Sequence, residues 1–177
     1  MIPIARRKPF PFCPQHDSLD CGPACLRLIA AFHGKTFSLQ ELRKRSYIDR
    51  EGVSLQGISE AAESIGYRTM GVKIPFDTGL DLPSLASAPL PVIVHWNQNH
   101  FVVVYRISHK YVWTADPGSG KHKLPIDVFK KQWISDYDQG IALLLEPTAR
   151  FADADMGGVK MSVHLTFLGH MCGRTAG

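Results

Sequence analysis

The sequence predicts an α+β fold, with a helical N-terminal part packed on a mostly antiparallel C-terminal sheet. Three observations carry that expectation. The first third shows helix-period apolar spacing with capping signals, and the second half is built of short runs rich in Val, Ile and aromatic residues. The strand-like and helix-like stretches also do not alternate as a βαβ repeat would require.

Taken in order, Asp20-Cys21-Gly22-Pro23 opens the first helix, whose apolar residues Cys25, Leu28, Ile29 and Phe32 recur at i, i+3, i+4 and i+7. Pro23 suits the first turn and Gly34 the C-terminal stop. Ser38-Leu39-Gln40-Glu41 is a capping box for a second, short helix carrying Leu39 and Leu42. A third helix is expected from Ser54 to Ile65, with Leu55, Ile58, Ala62 and Ile65 inward and Gly66 ending it. Strands are expected at Tyr67 to Ile74, Pro91 to Trp96, Phe101 to Ile107, Tyr111 to Ala115 and Ile141 to Leu145. Gly118-Ser119-Gly120 reads as a turn and Ile126 to Trp133 as one more helix after Pro125.

One domain is expected over residues 1–147, and 148–177 reads as a linker or disordered tail without periodicity. The apolar share of 45% and charged share of 20% are ordinary for a globular chain. Net charge is +4 with the basic residues dispersed, and no reader motif or aromatic-interleaved basic stripe is present, which argues against nucleic acid. The cluster Arg43-Lys44-Arg45 reads as a solvated helix end. No apolar run reaches the ~18 residues of a membrane span. Arg6-Arg7-Lys8 leads into Pro9-Phe10-Pro11-Phe12 rather than an apolar stretch, so a signal peptide is not expected and the chain reads as soluble. A reducing compartment makes the four cysteines more interesting as chemistry than as cross-links.

Cys21 falls at the start of the first helix, where free N–H groups and the helix dipole favour the thiolate. Gly22 after it would leave room for a substrate backbone, while Cys25 sits on the apolar stripe as a small buried hydrophobe. A base is available. Phe101 to Ile107 and Tyr111 to Ala115 suggest a hairpin around Ser108-His109-Lys110, in a register that sets His100 directly opposite Asp116 with Cβ atoms ~5 Å apart. A nucleophile from a helix end, with a base and its orienter from a sheet, follows the general triad logic. Rival readings exist for each residue. His95 is an alternative base, Asp116-Pro117-Gly118 is also a turn-former, and His16 and His33 read as surface or locally bonded. Cys13, His16, Cys21 and Cys25 lie close in sequence, yet no C-x-x-C pair or second cluster supports zinc, and no cofactor is expected.

The segment from Gln15 to Cys21-Gly22-Pro23-Ala24-Cys25-Leu26, with Asp20 before the cysteine, resembles the C39 family of bacterial cysteine peptidases. The resemblance continues in Tyr47 to Leu55, in His95-Trp96-Asn97-Gln98-Asn99-His100-Phe101-Val102-Val103 and in Asp116-Pro117-Gly118-Ser119-Gly120. It runs through Phe129 and Trp133 to Pro147, so that it covers about residues 10 to 147. It implies a papain-like fold with Cys21 as nucleophile, His100 as base and acid, Asp116 orienting His100, and Gln15 as an oxyanion donor. The composition had not singled out Gln15. It further implies cleavage of leader peptides after a double-glycine site in bacteriocin or pheromone precursors. The implied partners are the precursor and the membrane and ATPase parts of an ABC exporter, with the domain on the cytoplasmic side of the plasma membrane. Family variants that have lost the cysteine only bind leaders; this sequence retains Cys21. No Walker-type segment is present, so either an isolated domain of a larger protein or a stand-alone peptidase is expected. A different papain-like activity, amidase or transglutaminase, is the remaining alternative.

Overall fold

The computed structural model describes residues 9–47, 52–79 and 82–153. A short 3₁₀ turn, Ser18–Asp20, leads directly into α1 (Cys21–Phe32), followed by α2 (Leu39–Arg45) and α3 (Leu55–Ser64). Ser38 Oγ accepts from the Glu41 N–H at 3.1 Å and Ser54 Oγ from the Gly57 N–H at 3.0 Å, so both helices are capped where Ser precedes the periodic stretch. Then come β1 (Tyr67–Pro75), β2 (Val92–Trp96), β3 (His100–Ile107), β4 (Tyr111–Asp116) and β5 (Gly120–Pro125). The described chain ends with α4 (Ile126–Trp133), β6 (Ile134–Asp136), β7 (Gln139–Pro147) and α5 (Ala149–Asp153).

Among the described residues the strands form one antiparallel sheet in the order β1-β7-β2-β3-β4-β5, with β6 also paired to β7. Both faces are covered. Leu26, Ile29 and Ile58 of α1 and α3 pack on Phe101, Val103 and Leu143, whereas Phe129 and Trp133 of α4 pack on Val92, Val102 and Ala142. Double burial explains why β2 and β3 read as nearly unbroken apolar runs and not as alternating ones.

Several expectations change. β5 was expected only as the end of a turn, although Lys121, Lys123 and the intervening His122 and Leu124 alternate in exposure as an edge strand does. Phe32, expected inward, is half exposed at the end of α1, its ring 5.5 Å from that of Phe10. The packed chain also passes Pro147. Thr148 donates from its N–H to the Gly66 carbonyl at 3.1 Å, and Phe151 is buried 4.4 Å, ring to ring, from Tyr67. Gly66 is left-handed at φ +102°, and a Cβ there would lie 2.4 Å from the Phe151 nitrogen, so this glycine both ends α3 and admits α5. Arg6-Arg7-Lys8 and the tail beyond Asp153, including Cys172, lie outside the described residues.

Candidate active site

Three elements converge at one end of the sheet. Cys21 is the first residue of α1 and is 6% exposed, and its partners on that helix face are set by packing. Gly22 is buried against Val53 and Ile58, where a Cβ would come within 2.4 Å of Val53 Cγ1 and 2.6 Å of Ile58 Cδ1. The missing side chain therefore lets α3 close on the N-terminus of α1, a packing demand on this position that the sequence reading, which expected room for substrate there, did not include. Asp20, whose side chain is 1% exposed, is ion-paired with Arg43 Nε at 3.1 Å. That pairing takes Arg43 out of the purely solvated role expected for it and offsets a carboxylate charge beside Cys21.

His100 opens β3 directly after the turn at Asn97 and Gln98, both left-handed at φ 47° and 61°. Trp96 pairs with His100 and His95 with Phe101 across that turn, which sends the two histidines to opposite faces. His95 stacks its ring 5.2 Å from Phe101, and burial lowers its pKa. His33, expected to bond locally, reaches across to the Tyr67 hydroxyl at 2.9 Å.

The β3–β4 register differs from the expected one. Val103, and not Phe101, faces Ala115, and a bulge lies between Val104 and Arg106. His100 and Asp116 are consequently diagonal neighbours instead of directly opposed. The offset is even, so both stay on one face, and His100 Nε2 lies 2.8 Å from Asp116 Oδ1. With Nε2 on the carboxylate, Nδ1 is the nitrogen left for Cys21, whose interaction with the imidazole is the second cause of its raised pKa.

The hydrogen bond to Asp116, and after it the one to Cys21, raises the His100 pKa to about 9 against the opposing effect of burial. Burial alone would push the Asp116 carboxyl up. Hydrogen bonds from His100, from the Ser119 hydroxyl and from the Gly118 N–H outweigh it and hold the group at about 2. Cys25 is fully buried, with its thiol donating to the Phe101 carbonyl at 3.3 Å, and burial pushes its pKa well up. It is the inert cysteine of the pair, as its place on the apolar stripe implied.

Gln15 is anchored by its N–H to the Pro117 carbonyl at 2.9 Å, and its amide lies beside the Asp116–Gly118 turn. Its Oε1 is buried without a hydrogen-bond partner among the described residues. Two polar residues at the site were given no functional role from the sequence: Ser119, read as part of a turn and of the family motif, and His122. Ser119 Oγ donates to Asp116 Oδ2 at 2.7 Å and lies 2.8 Å from His122 Nε2. Their signal was the polar alternation of β5 following a serine three residues after Asp116.

Residues 9–150 match the model of the peptidase C39 family. The lactococcin-G-processing and transport ATP-binding protein LagD of Lactococcus lactis subsp. lactis is 33% identical over 141 residues, 77% of this chain and 19% of its own length. The probable microcin-H47 secretion/processing ATP-binding protein MchF of Escherichia coli is 31% identical over 82% of this chain and 19% of its own length. This chain thus spans about a fifth of the curated relatives it matches. Among solved structures, a double-glycine-motif protease from an AMS/PCAT transporter, in complex with the leader peptide, superposes with TM-score 0.67 at 30% identity, covering 78% of this chain and 91% of that one. The peptidase domain of Streptococcus ComA, a bifunctional ABC transporter of a quorum-sensing pathway, gives 0.66 at 29%, covering 79% and 100%. The α+β, papain-like architecture expected from the sequence is that of these domains. Among the described residues no helix is long and apolar enough to cross a membrane.

Proposed function

The chain belongs to the peptidase C39 family, and from that premise we propose that it is a cysteine endopeptidase cleaving leader peptides after a double-glycine site in bacteriocin or pheromone precursors. The observation that carries the reading is His100 held at Nε2, 2.8 Å from the Asp116 carboxylate, with its other ring nitrogen left for Cys21, the residue that also raises its pKa. The relatives are processing and transport ATP-binding proteins, which supports the precursor peptide and the remainder of an ABC exporter as partners. In that setting the domain works on the cytoplasmic face of the bacterial plasma membrane.

In the proposed reaction the Cys21 thiolate attacks the carbonyl carbon of the second glycine. The Gln15 side-chain N–H and the Cys21 backbone N–H receive the developing oxyanion. His100, as imidazolium, gives its proton to the amide nitrogen as the C–N bond breaks, which releases the mature peptide and leaves a thioester on Cys21. Water, deprotonated by the now neutral His100, attacks the thioester. The leader leaves with a free carboxylate, and the thiolate–imidazolium pair is restored. Glycines before the cut suit a narrow cleft in which substrate backbone approaches the catalytic groups closely. A double glycine offers little contact area, so the leader docks as an amphipathic helix on an apolar surface.

The test incubates the chain and a Cys21→Ala control with a synthetic double-glycine leader peptide and reads products by mass spectrometry. One cut after Gly-Gly that vanishes in the control is the expected result. Cleavage by the control would refute the assignment. A folded protein that binds leader without cutting it would turn the reading to a leader-binding module, and cutting of a cell-wall peptide instead would turn it to another papain-like activity.

A further inference from the structure

The carboxylate of Asp116 is held from two sides, and the hydrogen-bond directions are fixed by chemistry. An ionised carboxylate only accepts, so His100 Nε2 and the Gly118 N–H both donate to Oδ1, each at 2.8 Å. The single hydroxyl proton of Ser119 is donated to Oδ2 at 2.7 Å. Ser119 Oγ can then only accept from its other neighbour, so His122 Nε2, 2.8 Å away, carries a proton and donates. The series is one-directional: His122 to Ser119 to Asp116, with His100 entering from the opposite side. β4 pairs Thr114 with His122, and Asp116 with Gly120, so the turn closing this hairpin brings Ser119 back over the carboxylate.

We propose that Ser119 and His122 are positioning residues of the active site, which lock the rotation of the Asp116 carboxylate so that Oδ1 stays aimed at His100. Gly118 and His100 share Oδ1, and without a donor on Oδ2 the carboxylate is free to turn about its terminal torsion, which has a broad minimum. Ser119 supplies that donor, and His122 fixes the hydroxyl rotor that would otherwise have a choice of directions. The groups facing Asp116 are His100 from β3, Gly118 and Ser119 from the β4–β5 turn, and the Gln15 amide from the N-terminal segment. The neighbouring Lys121 is engaged elsewhere, donating to the Phe10 carbonyl at 3.0 Å.

The proposal rests on Cys21 and His100 acting as the reactive pair, and its test separates that premise from the positioning role. Ser119→Ala, Ser119→Thr and His122→Leu are compared with the parent chain in two assays. One is leader-peptide cleavage; the other, needing no substrate, is the pH profile of Cys21 alkylation by iodoacetamide, followed on the Cys21 peptide by mass spectrometry. Ser119 is exposed, so water partly replaces its hydroxyl, and Ser119→Ala is expected to lower kcat about three- to tenfold with KM unchanged. The upper step of the alkylation profile, where His100 loses its proton, moves down by about half a pH unit as the carboxylate loosens. Ser119→Thr restores both, and His122→Leu shifts both in the same direction by less. A parent chain that cuts no leader would defeat the functional reading while the alkylation profile still decides this one. Ser119→Ala with an unmoved alkylation profile, or an effect confined to KM, would overturn the proposal.

Discussion

Removing the charge of Asp116 while keeping its shape isolates what that carboxylate does. In Asp116→Asn the side-chain Oδ1 can still accept from His100 Nε2, so the ring stays placed; the charge is lost, and the amide nitrogen in place of Oδ2 becomes a donor toward Ser119. The His100 pKa, raised to about 9 first by its bond to Asp116 and then by its bond to Cys21, falls toward the ordinary 6.5 and stops short of it, because the second cause remains. At about pH 7.5 a group of pKa 9 is nearly all imidazolium, whereas one of pKa 6.5 is about a tenth so, which sets the protonation effect on kcat/KM at up to about tenfold. The loss shrinks as pH falls. The alkaline limb of the kcat/KM profile should therefore move down in the variant, and the His100 imidazole resonance, followed by NMR, should titrate at the same lowered pH. The linkage runs the same way for stability. His100 has a folded pKa above its unfolded one, so its contribution is complete below about 6.5 and is lost as pH rises through about 9. Asp116 has a folded pKa of about 2 against 3.8, so its contribution is present above 3.8 and lost as pH falls through 2. The pair supports the fold most fully between about 3.8 and 6.5, and Asp116→Asn should lose most Tm there and less at the alkaline end, where the Ser119 and Gly118 bonds to the carboxylate remain. An alkaline limb that stays near pH 9 in Asp116→Asn would refute the reasoning.

Gln15→Ala is expected to lower kcat by about a hundredfold with KM little changed, as loss of one oxyanion donor does, and an unchanged kcat would remove that role. Gly22→Ala forces a methyl into Val53 and Ile58 and should cost about 1–3 kcal/mol, read as a lower denaturation midpoint; a neutral result would mean that α3 can retreat without loss. Ending the chain after Pro147 removes the buried Phe151, and the truncated chain should lose about 2–4 kcal/mol. An unchanged Tm would restore Pro147 as the effective end of the domain.

The helices and their starts were legible because their signals are local. Ser38 and Ser54 cap within three residues, and the apolar stripe of α1 needs only its own sequence. The pairing register of β3 and β4 was not legible in the same way. It depends on a bulge beside Tyr105, whose ring stacks 4.4 Å from that of Phe10, a residue distant in sequence. The juxtaposition of His100 and Asp116 survived that error because an even register shift preserves the face on which a strand residue points. Gln15 was legible only through family resemblance, since its place is set by one backbone bond to Pro117 across the whole domain. Helix α5 was missed for a related reason: five residues carry no period, and Phe151 is meaningful only once Gly66 has made room for it.

The same bond to Pro117 ties two tasks of the site to one turn. Asp116 supplies the carboxylate, Pro117 the carbonyl that anchors Gln15, Gly118 an N–H to the carboxylate, and Ser119 the donor on its far side. The group proposed to orient the base and the group proposed to receive the oxyanion thus share a frame of four consecutive residues, while Cys21 arrives from the opposite layer. Relative placement of Gln15 and Asp116 is therefore set over a short, stiff path, and placement of Cys21 over the long one through α1, Gly22 and the α3 contact. A disturbance of the β4–β5 turn should damage base orientation and oxyanion binding together, and combining Ser119→Ala with Gln15→Ala should give less than the product of the separate effects on kcat. A disturbance at Gly22 acts instead through Cys21, its thiol and its backbone N–H, and leaves the carboxylate of the base untouched, so Gly22→Ala with Ser119→Ala should multiply. The opposite pattern in the two double mutants would show that the turn does not couple the two groups.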